Sequence, residues 1–138
     1  MFFSRNLKKT GASIFSDSQI AKAMDRSQAI IHFSPDGHIL YANSNFLNAL
    51  GYSLSDITGQ HHRIFCDPIY ASSEQYEEFW DDLRAGNFQS GTYRRITQSG
   101  DEIHIQATYN PIKDDANNVI GVVKYAVDIS IPTLKAQE

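Results

Sequence analysis

An α+β domain is the fold class this sequence predicts, on three observations. A tight hairpin signal, Ser34-Pro35-Asp36-Gly37, separates two short apolar runs. An aromatic stripe at helical spacing, Tyr76, Phe79, Trp80 and Leu83, occupies the middle of the chain. From Phe88 onward the period changes to two, as in strands. The order is therefore a hairpin, a helical stretch and then three strands.

Composition sets the outer bounds. At 138 residues, 41% hydrophobic and 20% charged, the chain fits one domain with a real core. A net charge of -4 argues against a nucleic-acid surface, and the basic pairs are only Lys8-Lys9 and Arg94-Arg95. One cysteine, Cys66, forms no internal disulfide, which points to a reducing compartment, the cytoplasm. Met1-Phe2-Phe3-Ser4-Arg5 lacks the apolar run of a signal peptide, and no stretch approaches the length of a membrane span. Internal repeats are absent.

Residues 1–17 read as a polar lead-in, with Phe2, Phe3, Leu7, Ile14 and Phe15 as apolar points for packing on the domain or on a second copy. Ser18 is expected to cap a helix running to Gln28. Ala29–Phe33 and His38–Ala42 are the two strands of the hairpin. Asn43 caps a short helix with Phe46, Leu47 and Leu50 on one face, and Gly51 ends it. A second short piece opens at Ser53 and closes at Gly59. Residues 69–73 are expected to be a loop, and Ser72 or Ser73 then caps the aromatic helix, which Gly86 stops. Phe88–Thr97 is a strand. Glu102–Ile112 alternates, with Ile103, Ile105, Ala107 and Tyr109 on one face, and Pro111 is expected to mark its end. Val119–Ile129 is apolar on both faces near Val122 and Val123, as in a central strand.

The motifs in order are Pro35-Asp36-Gly37, Tyr41-Ala42-Asn43, Gly51-Tyr52, Gly59-Gln60-His61-His62, Phe79-Trp80, Ser99-Gly100-Asp101-Glu102, Tyr109-Asn110-Pro111-Ile112 and Val127-Asp128-Ile129-Ser130. In that order they resemble a PAS domain over residues 28–130. More narrowly, the chain is similar to the sensor modules of soluble, methyl-accepting-chemotaxis-like transducers of the energy-taxis and biofilm-dispersion type. The resemblance implies a five-stranded antiparallel sheet of order 2-1-5-4-3, with the short helices over one face and an N-terminal helix. It divides the chain into a lead-in and helix (1–27), a PAS sensor domain (28–130) and the start of a linker to an output domain (131–138). It also implies signal transduction in the cytoplasm, a homodimer formed through the N-terminal helix and sheet face, and no nucleic-acid or membrane partner within this chain.

PAS domains hold haem, flavin, small acids or nothing between helices and sheet. His62 leads the candidates here, because a neutral imidazole ligates haem iron. His61 is its rival, and adjacent helical residues diverge by about 100°, so only one points inward. Arg63, Arg94 and Arg95 suit haem propionates or a flavin pyrophosphate, with at most one of Arg94 and Arg95 directed inward. Phe65, Trp80 and Asn43 complete the set, although core packing explains Trp80 and capping explains Asn43. The resemblance makes haem the first cofactor and FAD the second. Related flavin sensors carry tryptophan where this chain has Phe88 and asparagine near Arg95, and light sensors carry their reactive cysteine where it has His62. Cys66 reads as a small core residue, and His32, His38 and His104 as solvated or structural. Asp81-Asp82 and Asp114-Asp115 read as a solvated face and a turn. Hydrolase triads, phosphate loops and His-Glu-x-x-His patterns are missing, so an enzyme is not expected. The alternative function is a cofactor-free module for dimerisation or docking, or a small-metabolite receptor using Arg63.

Overall fold

The computed structural model describes residues 11–128. The expectations for Phe2, Phe3 and Leu7, and for the chain beyond Asp128, lie outside them. The elements are α1 (Asp17–Ser27), β1 (Ala29–Phe33), β2 (Ile39–Ala42), α2 (Ser44–Leu50), α3 (Leu54–Ile57), a 3-10 helix (His62–Phe65), α4 (Pro68–Ala71), α5 (Glu74–Arg84), β3 (Gln89–Ile96), β4 (Glu102–Lys113) and β5 (Val119–Asp128). All strand pairs are antiparallel, in the order β2-β1-β5-β4-β3. The last strand is thus central, as its two-sided apolar run implied.

Three expectations are corrected. Ser16, not Ser18, caps α1. Its hydroxyl accepts from Gln19 N at 3.1 Å while Gln19 Oε1 accepts from Ser16 N at 2.8 Å. That reciprocal box needs the glutamine three residues past the cap, which fixes the start. The expected loop at 69–73 opens instead as α4. Asp67 caps it through Ile69 N at 2.8 Å, and Pro68 sits at the first position, where its missing N–H is no loss. Finally, β4 runs through Pro111 to Lys113. Its pairing with β3 ends at Tyr109, so Pro111 lies where one side of β4 has no neighbour to bond.

The core lies on one face of the sheet. Ile31 and Phe33 of β1, Ile105, Ala107 and Tyr109 of β4, and Val122 and Ala126 of β5 meet Phe46, Ile57, Phe65, Tyr76, Phe79, Trp80 and Leu83 from the helices, all buried. On the opposite face α1 borders a groove of about 410 Å³ with Ile30, His32, Tyr41 and Tyr125. No residue of α1 is buried, and Ile20 and Met24 are exposed.

One backbone junction sets the orientation of the 3-10 helix. Gly59 N donates to Ile39 O at 2.8 Å, Ile39 N to Gln60 O at 2.8 Å and His62 N to Gly37 O at 2.9 Å. The segment before the 3-10 helix is thereby clipped to the hairpin tip, and the contact is close. Gly37 has φ 85°, and a Cβ built there would lie 2.8 Å from His61 Nε2 and 3.1 Å from the Trp80 ring. Gly100, with φ 91°, has nothing within 4 Å of the same position. Gly100→Ala is therefore expected to cost about 1 kcal/mol from backbone strain alone, and Gly37→Ala about 2–3 kcal/mol. Urea unfolding of the two variants checks this, and equal losses would refute the close-packing account.

Candidate functional site

The interior beneath the 3-10 helix is aromatic but not apolar. Its centre is His62, fully buried. The clip to Gly37 turns His62 inward and leaves its neighbour His61 on the rim. There His61 Nδ1 accepts from Arg63 N at 3.0 Å, and its ring borders a polar groove of about 510 Å³ with Asp36, Glu77 and Arg84.

Both ring nitrogens of His62 are engaged. Nδ1 lies 2.7 Å from Tyr76 Oη of α5, and Nε2 lies 2.9 Å from Tyr109 Oη of β4. Arg95 Nη2 of β3 donates to that same Tyr109 hydroxyl at 3.0 Å, and its Nη1 donates to Arg94 O at 2.8 Å. The proton positions follow the His62 tautomer: either Tyr109 accepts from Arg95 and donates to Nε2 while Nδ1–H donates to Tyr76, or Tyr76 donates to Nδ1 while Tyr109 accepts from both Nε2–H and Arg95. Six rings, those of Phe33, Phe65, Tyr76, Phe79, Trp80 and Tyr109, surround the imidazole with centroids 5.3–6.2 Å away. Cys66 Sγ stands 3.7 Å from Nδ1, and burial pushes its thiol pKa up, so it is a buried neutral neighbour.

Lys124 of β5 adds a second basic group. It is 1% exposed, its Nζ 4.9 Å from the Tyr109 ring centroid and 5.6 Å from that of Phe46. Burial, and then the charge of Arg95, holds its pKa well below the ordinary lysine range. The same burial raises the phenol pKa values of Tyr76 and Tyr109, so both keep their protons. Among the described residues no Asp or Glu is buried to balance these basic groups. Among the described residues, two buried donors, Arg95 Nε and Trp80 Nε1, have no hydrogen-bond partner. An unmatched buried donor costs about 1–3 kcal/mol, and a buried charge more.

The structure thus brings together His62, Phe65 and Trp80 from the expected set. Arg63 is exposed and turned to His61, so it faces solvent rather than the interior. Asn43 is buried at the junction of β1 and α2. Its Oδ1 accepts from Ile30 N and Phe46 N, and its Nδ2 donates to Gln28 O and Asp25 O, which consumes the whole amide. Of the arginine pair, Arg94 is the outward one, bonded to Asp67 at 2.9 Å and Glu102 at 3.0 Å, and Arg95 the inward one. Sequence reasoning missed Lys124, and it counted Tyr76 and Tyr109 only as core. The period of two carried the signal, because Lys124 shares a strand face with Val122 and Ala126. Among the described residues no cluster of three or more metal-ligating side chains occurs, and no helix is long and apolar enough to cross a membrane.

Fold and interior together define a PAS-type domain. The family model described as "PAS fold" matches residues 39–126, and the chain belongs to that family. It is 50% identical over 107 residues to the biofilm dispersion protein BdlA of Pseudomonas aeruginosa, which covers 78% of this chain and 26% of that protein. It is 26% identical over 104 residues to the bacterioopsin transcriptional activator of Halobacterium salinarum, covering 75% of this chain and 15% of that one. The chain therefore spans about a quarter or less of these relatives. Among solved structures, a light-oxygen-voltage domain studied with a flavin analogue superposes with TM-score 0.70 at 23% identity, over 88% of this chain and 92% of that one. A PAS domain from Colwellia psychrerythraea gives TM-score 0.70 at 22% identity, over 82% and 96%. These two show the fold.

Burial first, then Arg95 and Lys124, lowers the His62 pKa well below its ordinary 6.5. The folded chain keeps this imidazole neutral where the unfolded chain takes up a proton, so stability present above pH 6.5 is lost as pH falls below it. One proton corresponds to about 1.4 kcal/mol per pH unit. About 2 kcal/mol of extra loss between pH 6.5 and about pH 5 is expected relative to His62→Gln. Urea unfolding of both proteins at stepped pH measures the difference, and parallel curves would exclude it.

Proposed function

We propose that this chain is the non-enzymatic input module of a cytoplasmic, chemotaxis-type signal transducer. Its interior holds a small ligand, and β5 carries the response toward an output domain beyond Asp128. The observation that carries this reading is the buried chain Tyr76–His62–Tyr109–Arg95. It joins α5, the 3-10 helix, β4 and β3 through hydrogen bonds of 2.7–3.0 Å. An occupant that takes one of these partners must rearrange the others. β5 lies beside β4 and contributes Lys124 to the same space, so the strand that leaves the domain is in direct contact with the network. The likeness to a biofilm dispersion protein supports a signalling role.

The residues present do not fit the haem that the family resemblance put first. Iron ligation by His62 would require the loss of a tyrosine hydrogen bond at one of its two nitrogens. The macrocycle would also have to displace rings already packed around the imidazole. FAD, the second cofactor of the resemblance, is supported by the fold shared with a light-oxygen-voltage domain, but it would meet the same packed rings. A colourless occupant fits better. Purified chain is expected to lack visible absorption and to show no Soret band after haemin addition. A Soret band abolished by His62→Ala and kept in His61→Ala would restore haem, and flavin bands would restore FAD. In the full-length transducer, Tyr109→Phe is expected to shift the resting output, and an unchanged output would sink the relay.

The second reading, self-association, is favoured by α1. This amphipathic helix buries nothing, and it exposes Ile20 and Met24 beside exposed Phe15 and Ile14. A homodimer through α1 and the outer sheet face would cover them. Light scattering is expected to give a dimer for the chain and a monomer once residues 1–28 are deleted. A dimer in both would move the interface elsewhere.

A further inference from the structure

The polar groove beside His61 ends on the rings that enclose His62. It holds about 510 Å³ between the hairpin tip, the 3-10 helix and α5. Tyr76 and Trp80 line it, and the same two rings pack on the buried imidazole with centroids 5.8 and 5.4 Å away. His61 stands over them on the groove side. Its half-buried ring lies 5.9 Å from that of Trp80 and 6.2 Å from that of Tyr76, centroid to centroid. Without this one ring the groove would run onto the two side chains that close the interior.

Two local features hold the ring in place. Nδ1 accepts from Arg63 N at 3.0 Å and from Arg63 Nε at 3.3 Å, so His61 caps the 3-10 helix that follows it. Nε2 fills the space left by Gly37, where a Cβ would lie 2.8 Å from it. Both holds are light. Solvent-side hydrogen bonds add little net stability, and the helix they cap is a single four-residue turn. His62 beneath is fixed instead by short bonds to α5 and β4. The closed position also leaves a contact unmade. Trp80 Nε1 is a buried donor without a partner among the described residues. The ring atom bonded to it, Cε2, lies 3.1 Å from the same Cβ position at Gly37 that His61 Nε2 approaches. His61 cannot serve that donor. With Nδ1 accepting, the proton of the neutral imidazole sits on Nε2, so both nitrogens at this spot are donors. An entering acceptor that displaces the His61 ring gains a partner the ring does not provide.

We infer that His61 is a gate. Its ring, latched on Arg63 and seated over Gly37, closes the interior against the groove, and its release opens the route by which an occupant reaches the His62 network. The inference rests on the reading of the chain as a ligand-holding input module and names the entrance of that module. The competing route is the cleft of about 410 Å³ between α4, α5 and β3, lined by Tyr70, Gln75, Thr92 and Arg95.

The chain's one cysteine reports on the gate. Cys66 is 5% exposed, sits at the C-terminal end of the same 3-10 helix, and holds its Sγ 3.7 Å from His62 Nδ1. Its labelling by methyl methanethiosulfonate, a small uncharged thiol reagent, is timed by mass spectrometry at one fixed pH. His61→Ala, which removes latch and ring together, is expected to label about tenfold faster than the parent chain, the factor to which a lost cap corresponds. Two further variants separate the routes at exposed positions. Ser72→Trp, on the wall of the groove, is expected to slow labelling about threefold by steric blocking alone, and Thr92→Trp, on the wall of the cleft, to leave it unchanged. Rates are repeated in low concentrations of urea. Opening of the gate exposes little surface and leaves them flat, whereas global unfolding makes them climb. The inference is overturned if His61→Ala labels at the parent rate, if Thr92→Trp slows labelling and Ser72→Trp does not, or if every rate climbs with urea. These readouts need neither ligand nor output domain. A gate that passes this test in a transducer with unchanged output would overturn the relay and leave the gate standing. A Tyr109→Phe shift in output, with labelling through the cleft, would do the reverse.

Discussion

The imidazole of His62 between two phenols is the constraint on which the rest of this domain depends. It exists because the backbone before the 3-10 helix is clipped to the hairpin tip, with His62 N on Gly37 O. The clip in turn needs a glycine at 37, since a side chain there would collide with His61 and Trp80. Four elements distant in sequence are then joined by short hydrogen bonds inside a shell of rings. Buried polar networks of this kind specify one arrangement strongly when every member is satisfied. Here both nitrogens of the histidine are engaged, while Arg95 Nε has no hydrogen-bond partner among the described residues.

This division of roles governs how much is legible in the sequence. Where local chemistry decides the outcome, the residues announce it. Asp36-Gly37 makes the hairpin, Asn43 caps α2, the aromatic stripe becomes the buried face of α5, and the alternation of β4 places Tyr109 inward. The sheet order comes from the family resemblance, and the two-sided apolar run of β5 agrees with it. The misses have physical causes. The start of α1 is set by a glutamine side chain reaching back three residues, and an isolated serine does not reveal which cap has that partner. Pro111 ends a strand only if both neighbours are present, and β3 stops short of it.

The site is legible in part. That one histidine of the pair faces inward follows from helical geometry, and the clip to Gly37 decides which. Lys124 escapes notice because a lone lysine in an apolar strand is ordinarily read as a place where the strand meets water. Its parity with Val122 and Ala126 points the other way. Arg94 and Arg95 show the same rule at work: the strand period puts one in solvent with Asp67 and Glu102 and the other against Tyr109.

The amide of Asn43 has a mechanical meaning beyond capping. Its Nδ2, together with Asn45 Nδ2, holds carbonyls of Asp25, Arg26 and Gln28 at the C-terminal end of α1, while its Oδ1 holds the first turn of α2 and the backbone of β1. The rest of α1 buries no side chain. The helix is therefore pinned at one end and unsupported along its length, like a lever on a single bearing. Torque applied anywhere along α1 concentrates at Asn43, the joint where the outer helix, the first strand and the inner helices meet.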